Sequence, residues 1–188
     1  MQGFPPKDAF SPPLRPPILA GMDDEPSQHP ATYLTDAGAP PLRLAAFLPY
    51  RLSVLSNTIS SAIAGSYSDR FGLTIWQWRC MAVIGEAPGL AARDVAARTA
   101  MDKVAVSRAV AGLEALGHVH READAADRRA SRLTLTDQGR RTYGEIVPLA
   151  LAYEQALVAG LSEAEQAQLQ VIMAKLARAA QPDDTPLW

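Results

Sequence analysis

The chain has 188 residues, of which 48% are hydrophobic and 20% charged, and its formal net charge is −2. This size and mixture predict one ordinary globular domain that can bury a core. A membrane-spanning protein is not expected, because no apolar run in the sequence approaches the roughly 20 residues that cross a bilayer. The N-terminus does not have the pattern of a signal peptide, and the single cysteine, Cys80, suits a reducing compartment. We therefore expect a cytoplasmic protein.

The charge is unevenly distributed. Residues 91–141 contain ten Lys/Arg against seven Asp/Glu, a local balance of +3, and the rest of the chain has eight against thirteen. A basic segment on an acidic body is expected where one face of a protein meets phosphates.

Residues 1–41 contain ten of the fifteen prolines. Since proline cannot sustain helical hydrogen bonding, this stretch is predicted to be an irregular N-terminal arm. A helix is predicted over 42–71, with Leu48, Leu52 and Leu55 at three- and four-residue steps and Gly72 closing it. Pro49 marks either the start of this helix or a kink.

The next helix is predicted from a capping box, Thr74 with Gln77, to about Glu86. Short helices follow over 91–99 and 102–116, and Gly117 ends the second. Two strands, 118–123 and 131–136, flank a polar connection over 124–130. Thr136 is predicted to cap a helix ending near Gly160, and Ser162 with Glu165 begins a last one. The fold class is thus mainly α with a small β-hairpin wing.

Two short helices with a tight turn, then a hairpin, describe a winged helix-turn-helix lobe, whose second helix enters the DNA major groove. In that helix an inward face is predicted for Val104, Val110, Leu113 and Leu116. The outward residues are Lys103, Ser107 and Arg108. Arg108 offers paired donors suited to guanine, Ser107 a bond to a base or phosphate, and Lys103 a backbone contact.

The hairpin tip carries Arg128 and Arg129, which are expected to enter the adjacent minor groove. Asp127 would repel phosphate if it were free, so we expect it to pair with a neighbouring arginine and hold the tip in shape.

These motifs resemble the MarR family of bacterial transcriptional regulators. The resemblance lies in the "DK–VSR" helix, the "LE–LG–V–R" exit, and the wing "D-R-R" followed by "L-T-L-T–G". It implies a homodimer on double-stranded, roughly palindromic operator DNA, with half-sites about 34 Å apart. It also implies Arg129 as the wing arginine, oriented by Asp127. The apolar stripes on 42–71, 137–160 and 162–179 independently favour a second copy as partner.

The resemblance further predicts the domain organisation. Residues 42–181 form the MarR-like domain, with dimerisation helices over 42–71 and 137–179 and the winged lobe over 74–136. Residues 182–188 form a C-terminal tail.

Members of the family commonly release DNA on binding a small aromatic anion. Two stretches, "LPYRLSVLSNTIS" and "LTIWQWRCMAVIG", resemble regulators of aromatic-acid, including hydroxycinnamate, catabolism. The predicted effector is an aromatic carboxylate or its coenzyme A thioester. The candidate effector residues are Tyr50, Arg51, Ser53, Asn57, Trp78 and Arg79.

Three alternatives remain open. An enzyme is disfavoured, since the sequence has no glycine-rich phosphate loop, no G-x-S-x-G elbow and no metal-ligand spacing. No cofactor is expected, and no metal site, although His118 and His120 are predicted to share one face of a strand. A dimeric adaptor would keep the winged fold without binding specific DNA. A redox-sensing repressor would use Cys80, which the pattern instead places on an apolar helix face.

Overall fold

A computed structural model of the chain describes residues 41–123 and 131–180. All of the predicted N-terminal arm except Pro41, and the predicted tail, lie outside these residues. The chain divides into two compact units, Met1–Ala62 and Ile63–Trp188. Of the helices in the described residues, none is long and apolar enough to span a bilayer.

In the first unit a 3-10 turn, Leu44–Ala46, precedes helix α1, Leu48–Ala64, whose last two residues belong to the second unit. Pro49 is the second residue of α1, so it marks the start and introduces no kink. Its fixed φ suits the first turn, where its missing N–H has no helical partner. Every residue of α1 is exposed or half-buried.

The second unit contains the other elements. A short helix α2, Ser68–Phe71, is followed by α3, Ile75–Glu86, strand β1, Leu90–Ala91, helix α4, Ala92–Thr99, and helix α5, Lys103–Ala115. Strands β2, Val119–Ala123, and β3, Ser131–Leu135, come next, then helices α6, Asp137–Val158, and α7, Glu163–Ala180. The predicted fold class, mainly α with a small β-hairpin wing, is confirmed.

The single helix predicted over 42–71 was wrong, because the chain breaks between α1 and α2. The Ser66 hydroxyl donates to the Ile63 carbonyl oxygen at 2.6 Å, and the Ser66 N–H donates to the same oxygen at 3.0 Å. Such local bonds compete with the helical pattern. Gly72, with φ of +65°, ends α2 in the left-handed conformation that favours glycine.

Local capping signals are confirmed at two helices. The Gln77 N–H donates to the Thr74 hydroxyl at 3.2 Å, while the Thr74 N–H donates to Gln77 Oε1 at 2.8 Å. At α7 the Glu165 N–H donates to Ser162 Oγ at 3.3 Å, and the Ser162 N–H returns a 2.8 Å bond to the carboxylate. The bond from the Ser162 backbone lowers the pKa of Glu165.

The sheet has three antiparallel strands in the order β1-β3-β2. The predicted hairpin is β2 with β3, in which His120 lies opposite Thr134. Strand β1 was missed, and it pairs Leu90 with Leu133. Leu133 and Leu135 are buried and Arg132 is exposed, which is the alternation of a half-buried strand.

The core of the second unit lies between α3, α4, α5 and the sheet. Fully buried side chains come from each of these elements, and they include Met81, Ile84, Val95, Val110, Leu113 and Leu133. Ile146 of α6 is also fully buried in this core. Every residue of α7 is exposed or half-buried.

Candidate nucleic-acid interface

Helices α4 and α5 meet in a turn of three residues. Ala100 adopts φ of +52°, which reverses the chain directly after α4, and the next residue, Met101, is buried beneath the turn. Asp102 then caps α5, since its Oδ1 accepts from the Val104 N–H at 2.9 Å and from the Ala105 N–H at 2.8 Å. A helix, a tight turn and a firmly capped second helix make up a helix-turn-helix.

Helix α5 has one buried and one exposed face. Its buried side chains are Val106, Ala109, Val110 and Leu113. The exposed face contains Lys103, Ser107 and Arg108, as predicted. Within 41–123 and 131–180 these three side chains have neither an ion pair nor a hydrogen-bond partner, so their donors face solvent. This face can therefore offer charged and hydroxyl donors to an external ligand.

Two residues predicted to face inward do not. Val104 is 58% exposed and Leu116 is 41% exposed. Val104 lies three and four residues before Ser107 and Arg108, which places it on their side of the helix. Leu116 is the C-cap residue of α5, beyond the last turn that packs on the core. Burial was predicted at both positions from the apolar character of the side chains, and this prediction was wrong.

The wing begins directly after α5. Strands β2 and β3 form its stem, with Ala123 opposite Ser131. The tip over residues 124–130 lies outside the described residues, and with it the predicted Asp127, Arg128 and Arg129.

An ion pair that sequence reasoning missed connects α5 to the wing. The Arg121 Nε lies 2.9 Å from both carboxylate oxygens of Glu114, and each side chain is about one third exposed. Glu114 is in the last turn of α5 and Arg121 is in β2. The signal available in the sequence was a pair of opposite charges on either side of the helix-ending Gly117. Because Glu114 engages it, Arg121 orients the wing stem instead of adding a free charge to the basic segment.

Thr136 joins the C-terminal end of α5 to the start of α6. Its hydroxyl donates to the Gly117 carbonyl at 2.6 Å and accepts from the Gly139 N–H at 3.0 Å. Its own N–H donates to the His118 carbonyl at 3.0 Å. A Cβ added at Gly139 would lie 2.0 Å from that same His118 oxygen, so glycine permits the close approach. The predicted cap is confirmed, and it also fastens two helices together.

The two histidines do not share a face, contrary to prediction. His118 precedes β2 and is buried, which lowers the pKa of its imidazole, whereas His120 in β2 is exposed. The Nδ1 of His118 has no hydrogen-bond partner among the described residues. The left-handed turn at Gly117 places His118 outside the regular alternation of the strand.

The candidate effector residues fall in both compact units. Tyr50, Arg51, Ser53 and Asn57 are exposed on α1 in the first unit. In the second unit the ring centroid of Trp78 lies 5.6 Å from that of Tyr67 and 6.0 Å from that of Tyr143. Arg79 lies over the ring of the exposed Trp76, 5.4 Å from its centroid.

This aromatic cluster is partly a packing feature of the second unit. Burial raises the pKa of Tyr67 to about 12, although the positive charge of Arg79 opposes that rise. Trp78 is half-buried and packs against the core.

Cys80 is fully buried in the core, and burial raises the pKa of its thiol to about 11. Reactive cysteines need a lowered pKa and solvent access. This environment opposes the redox-sensing alternative.

Comparison with known proteins agrees with this geometry. The family model described as MarR family matches residues 71–130. The HTH-type transcriptional regulator BilQ of Clostridium symbiosum is 30% identical over 95 residues, which span 50% of this chain and 66% of that protein. The HTH-type transcriptional repressor Rv2887 of Mycobacterium tuberculosis is 26% identical over 131 residues, or 69% of this chain and 91% of the repressor.

Two solved structures share the fold. The PcaV transcriptional regulator from Streptomyces coelicolor, in complex with its natural ligand, has a TM-score of 0.65 at 24% identity, over 76% of this chain and 100% of its own. The S. aureus MepR–DNA complex has a TM-score of 0.64 at 24% identity, over 71% of this chain and 98% of its own.

The lobe from α3 to β3 is thus a winged helix-turn-helix. Residues 71–130 are similar to the MarR family, and the chain is similar in sequence to HTH-type transcriptional regulators. These relatives are regulators and not enzymes, as the sequence predicts.

Proposed function

We propose that the chain is a dimeric repressor that binds a roughly palindromic operator and leaves it when an aromatic carboxylate, or its coenzyme A thioester, binds. The observation that carries this proposal is the exposed face of α5, where Lys103, Ser107 and Arg108 have no partner among the described residues. Repression is favoured by the mycobacterial relative, which is itself a repressor.

In this proposal α5 lies in the major groove. Arg108 donates two hydrogen bonds to a guanine, Ser107 contacts a base or phosphate, and Lys103 binds the backbone near the first turn. At the wing, Arg129 enters the minor groove beside Arg128, and Asp127 orients it.

The dimer is proposed from the apolar surface of the last two helices and the connection between them. The exposed large apolar side chains there are Leu151, Leu157, Leu161, Leu169, Val171, Ile172 and Met173. Apolar surface this extensive is usually covered by a partner. A second copy accounts for it, since two-fold symmetry also presents two copies of α5 to one operator. The proposed division of the sequence is dimerisation helices over 42–71 and 137–179 and the winged lobe over 74–136.

The effector is proposed from the residues around the second unit's aromatic cluster and from α1. In the second unit, Trp78 offers an aromatic surface and Arg79 offers a cation for a carboxylate. On α1, Arg51 offers a further cation. Tyr50, Ser53 and Asn57 lie at spacings of three and four on α1 and supply polar contacts. PcaV provides a precedent among transcriptional regulators of this fold, since its structure holds a natural ligand.

The DNA-binding claim is tested with Arg108→Ala and with Arg178→Ala, a variant matched in charge but placed in the last turn of α7. We expect Arg108→Ala to lose about 1–3 kcal/mol of operator affinity and to relax preference at one base position. Arg178→Ala should stay close to the parent. Equal affinity for both variants, or affinity independent of salt, contradicts the proposal and favours the adaptor alternative.

The effector claim is tested by titrating aromatic acids and their coenzyme A thioesters while following tryptophan fluorescence and DNA release. Trp78→Phe should remove most of the fluorescence change, and Trp76→Phe, on the neighbouring exposed position, should retain it. If no compound displaces the DNA, the effector proposal is refuted and the DNA-binding proposal stands.

A further inference from the structure

Val104 is an apolar side chain on a face that is otherwise polar or small. At spacings of three, four and seven it is followed by Ser107, Arg108 and Ala111, and all four residues are exposed. Residues at this spacing lie along one stripe of a helix. The stripe therefore presents a branched apolar group at one end and a hydroxyl and a guanidinium beside it.

Neither packing nor helix formation accounts for Val104. The side chain is 58% exposed, and the inward positions of α5 are filled by Val106, Val110 and Leu113. Valine is also a weaker helix former than the straight-chain residues, so it adds nothing to the helix as a solvent-facing residue.

We propose that Val104 contacts the C5-methyl group of a thymine in the major groove of the operator. This inference rests on the proposed function. Thymine carries the apolar group among the base edges of that groove, and apolar side chains contact it. The first turn of a recognition helix is also the part that reaches base edges.

The flanking residues define the occupant of this surface. Lys103 and Arg108 are exposed on either side of Val104, so an apolar protein surface docking there would have to desolvate two cations. A DNA groove instead supplies phosphates for the cations and a methyl group for the valine.

The geometry limits which thymine is involved. Val104 and Arg108 are four residues apart, which is about 6 Å along the helix axis. Stacked base pairs are about 3.4 Å apart. The thymine is therefore expected within about two base pairs of the base that Arg108 contacts.

The test first selects an operator from a pool of random duplexes with the full-length chain. Each thymine of the selected sequence is then replaced by uracil, symmetrically in both half-sites, because uracil differs from thymine by the methyl group alone. At one position the parent protein should lose about fourfold in affinity per half-site, the value expected for one buried methyl group.

Val104→Ala is expected to bind the unmodified operator as weakly as the parent binds the uracil operator, and to be insensitive to uracil at that position. Since Val104 is exposed, this variant should unfold at the parent's temperature. Leu116→Ala is the matched control, because Leu116 is also an exposed apolar residue, at the C-cap of this helix, but lies off the stripe. It should keep the parent's uracil sensitivity.

The outcomes separate the two claims. A selected operator that tolerates uracil at every position overturns the role of Val104 and leaves the proposed function standing. Uracil sensitivity that persists in Val104→Ala does the same. A parent protein that selects no sequence at all refutes the proposed function, and the inference falls with it.

Discussion

Removal of the Thr136 hydroxyl should destabilise the winged lobe at the point where α5 meets α6. Thr136→Val keeps the shape of the side chain but removes both of its hydrogen bonds. One is accepted from the Gly139 N–H at 3.0 Å, and the other is donated to the Gly117 carbonyl at 2.6 Å. The variant therefore isolates the hydroxyl from the volume that it occupies.

The magnitude follows from the two bonds. Loss of a helix N-cap costs about 1 kcal/mol, and loss of a typical further hydrogen bond costs about 0.5–1.5 kcal/mol. We expect a decrease of about 2 kcal/mol in the free energy of unfolding. For a chain of this length that corresponds to a fall in Tm of about 4–8 °C.

The assay is urea unfolding at one fixed protein concentration, since the stability of the proposed dimer would depend on concentration. Thr136→Ser retains the hydroxyl and should stay within about 0.5 kcal/mol of the parent. Thr136→Asp retains an acceptor for Gly139 but has no proton to donate to Gly117 at neutral pH, so it should fall between the two. If Thr136→Val is as stable as Thr136→Ser, the two hydrogen bonds of the Thr136 hydroxyl do not stabilise the fold, and the prediction is wrong.

Three further predictions concern the same region. Gly139→Ala should destabilise by more than about 3 kcal/mol in urea unfolding, because its Cβ would lie 2.0 Å from the His118 carbonyl oxygen; a loss below 1 kcal/mol contradicts this packing. Glu114 and Arg121, each about one third exposed, should show a coupling of about 0.5–1 kcal/mol in a double-mutant cycle, and additive single variants would disprove the pair. Burial lowers the pKa of His118 below 6.5, so the unfolded chain takes up a proton at a higher pH than the folded chain. The free energy of unfolding should therefore decrease as the pH drops below 6.5, and it should level off below the pKa of the folded state. His118→Gln should not show this decrease when its free energy of unfolding is measured against pH.

Features that depend on neighbouring residues could be predicted from the sequence. The capping boxes at Thr74 and Ser162 and the cap at Thr136 each involve residues within three positions, so side-chain type and spacing suffice. The exposed polar residues of α5 were also predictable, because the buried positions follow the helical period.

Features that depend on distant partners could not be predicted. Strand β1 has two residues, which are too few to show the alternation of apolar and polar residues typical of a strand. It forms because it pairs with β3, where Leu90 lies opposite Leu133. The exposure of Val104 depends on whether the core has room for it, and Val106 and Val110 already fill that space. The break before α2 depends on local hydrogen bonds of Ser66 that compete with a helical pattern extending across it.

Three contacts hold the C-terminal half of α5 and its end, and they allow one face of its N-terminal half to be exposed. Gln77 lies against Gly112, because a Cβ added at Gly112 would be 2.3 Å from Gln77 Nε2. Arg121 binds Glu114 in the last turn, and Thr136 binds the carbonyl of Gly117 just beyond the helix. Contact with bases requires a side chain held to within a fraction of an ångström, which flexible support does not give. With α5 anchored at its C-terminal end, Lys103, Ser107 and Arg108 can be exposed and still be well positioned. Since one of the anchors is the first turn of α6, a displacement of that turn would also move the C-terminal end of α5.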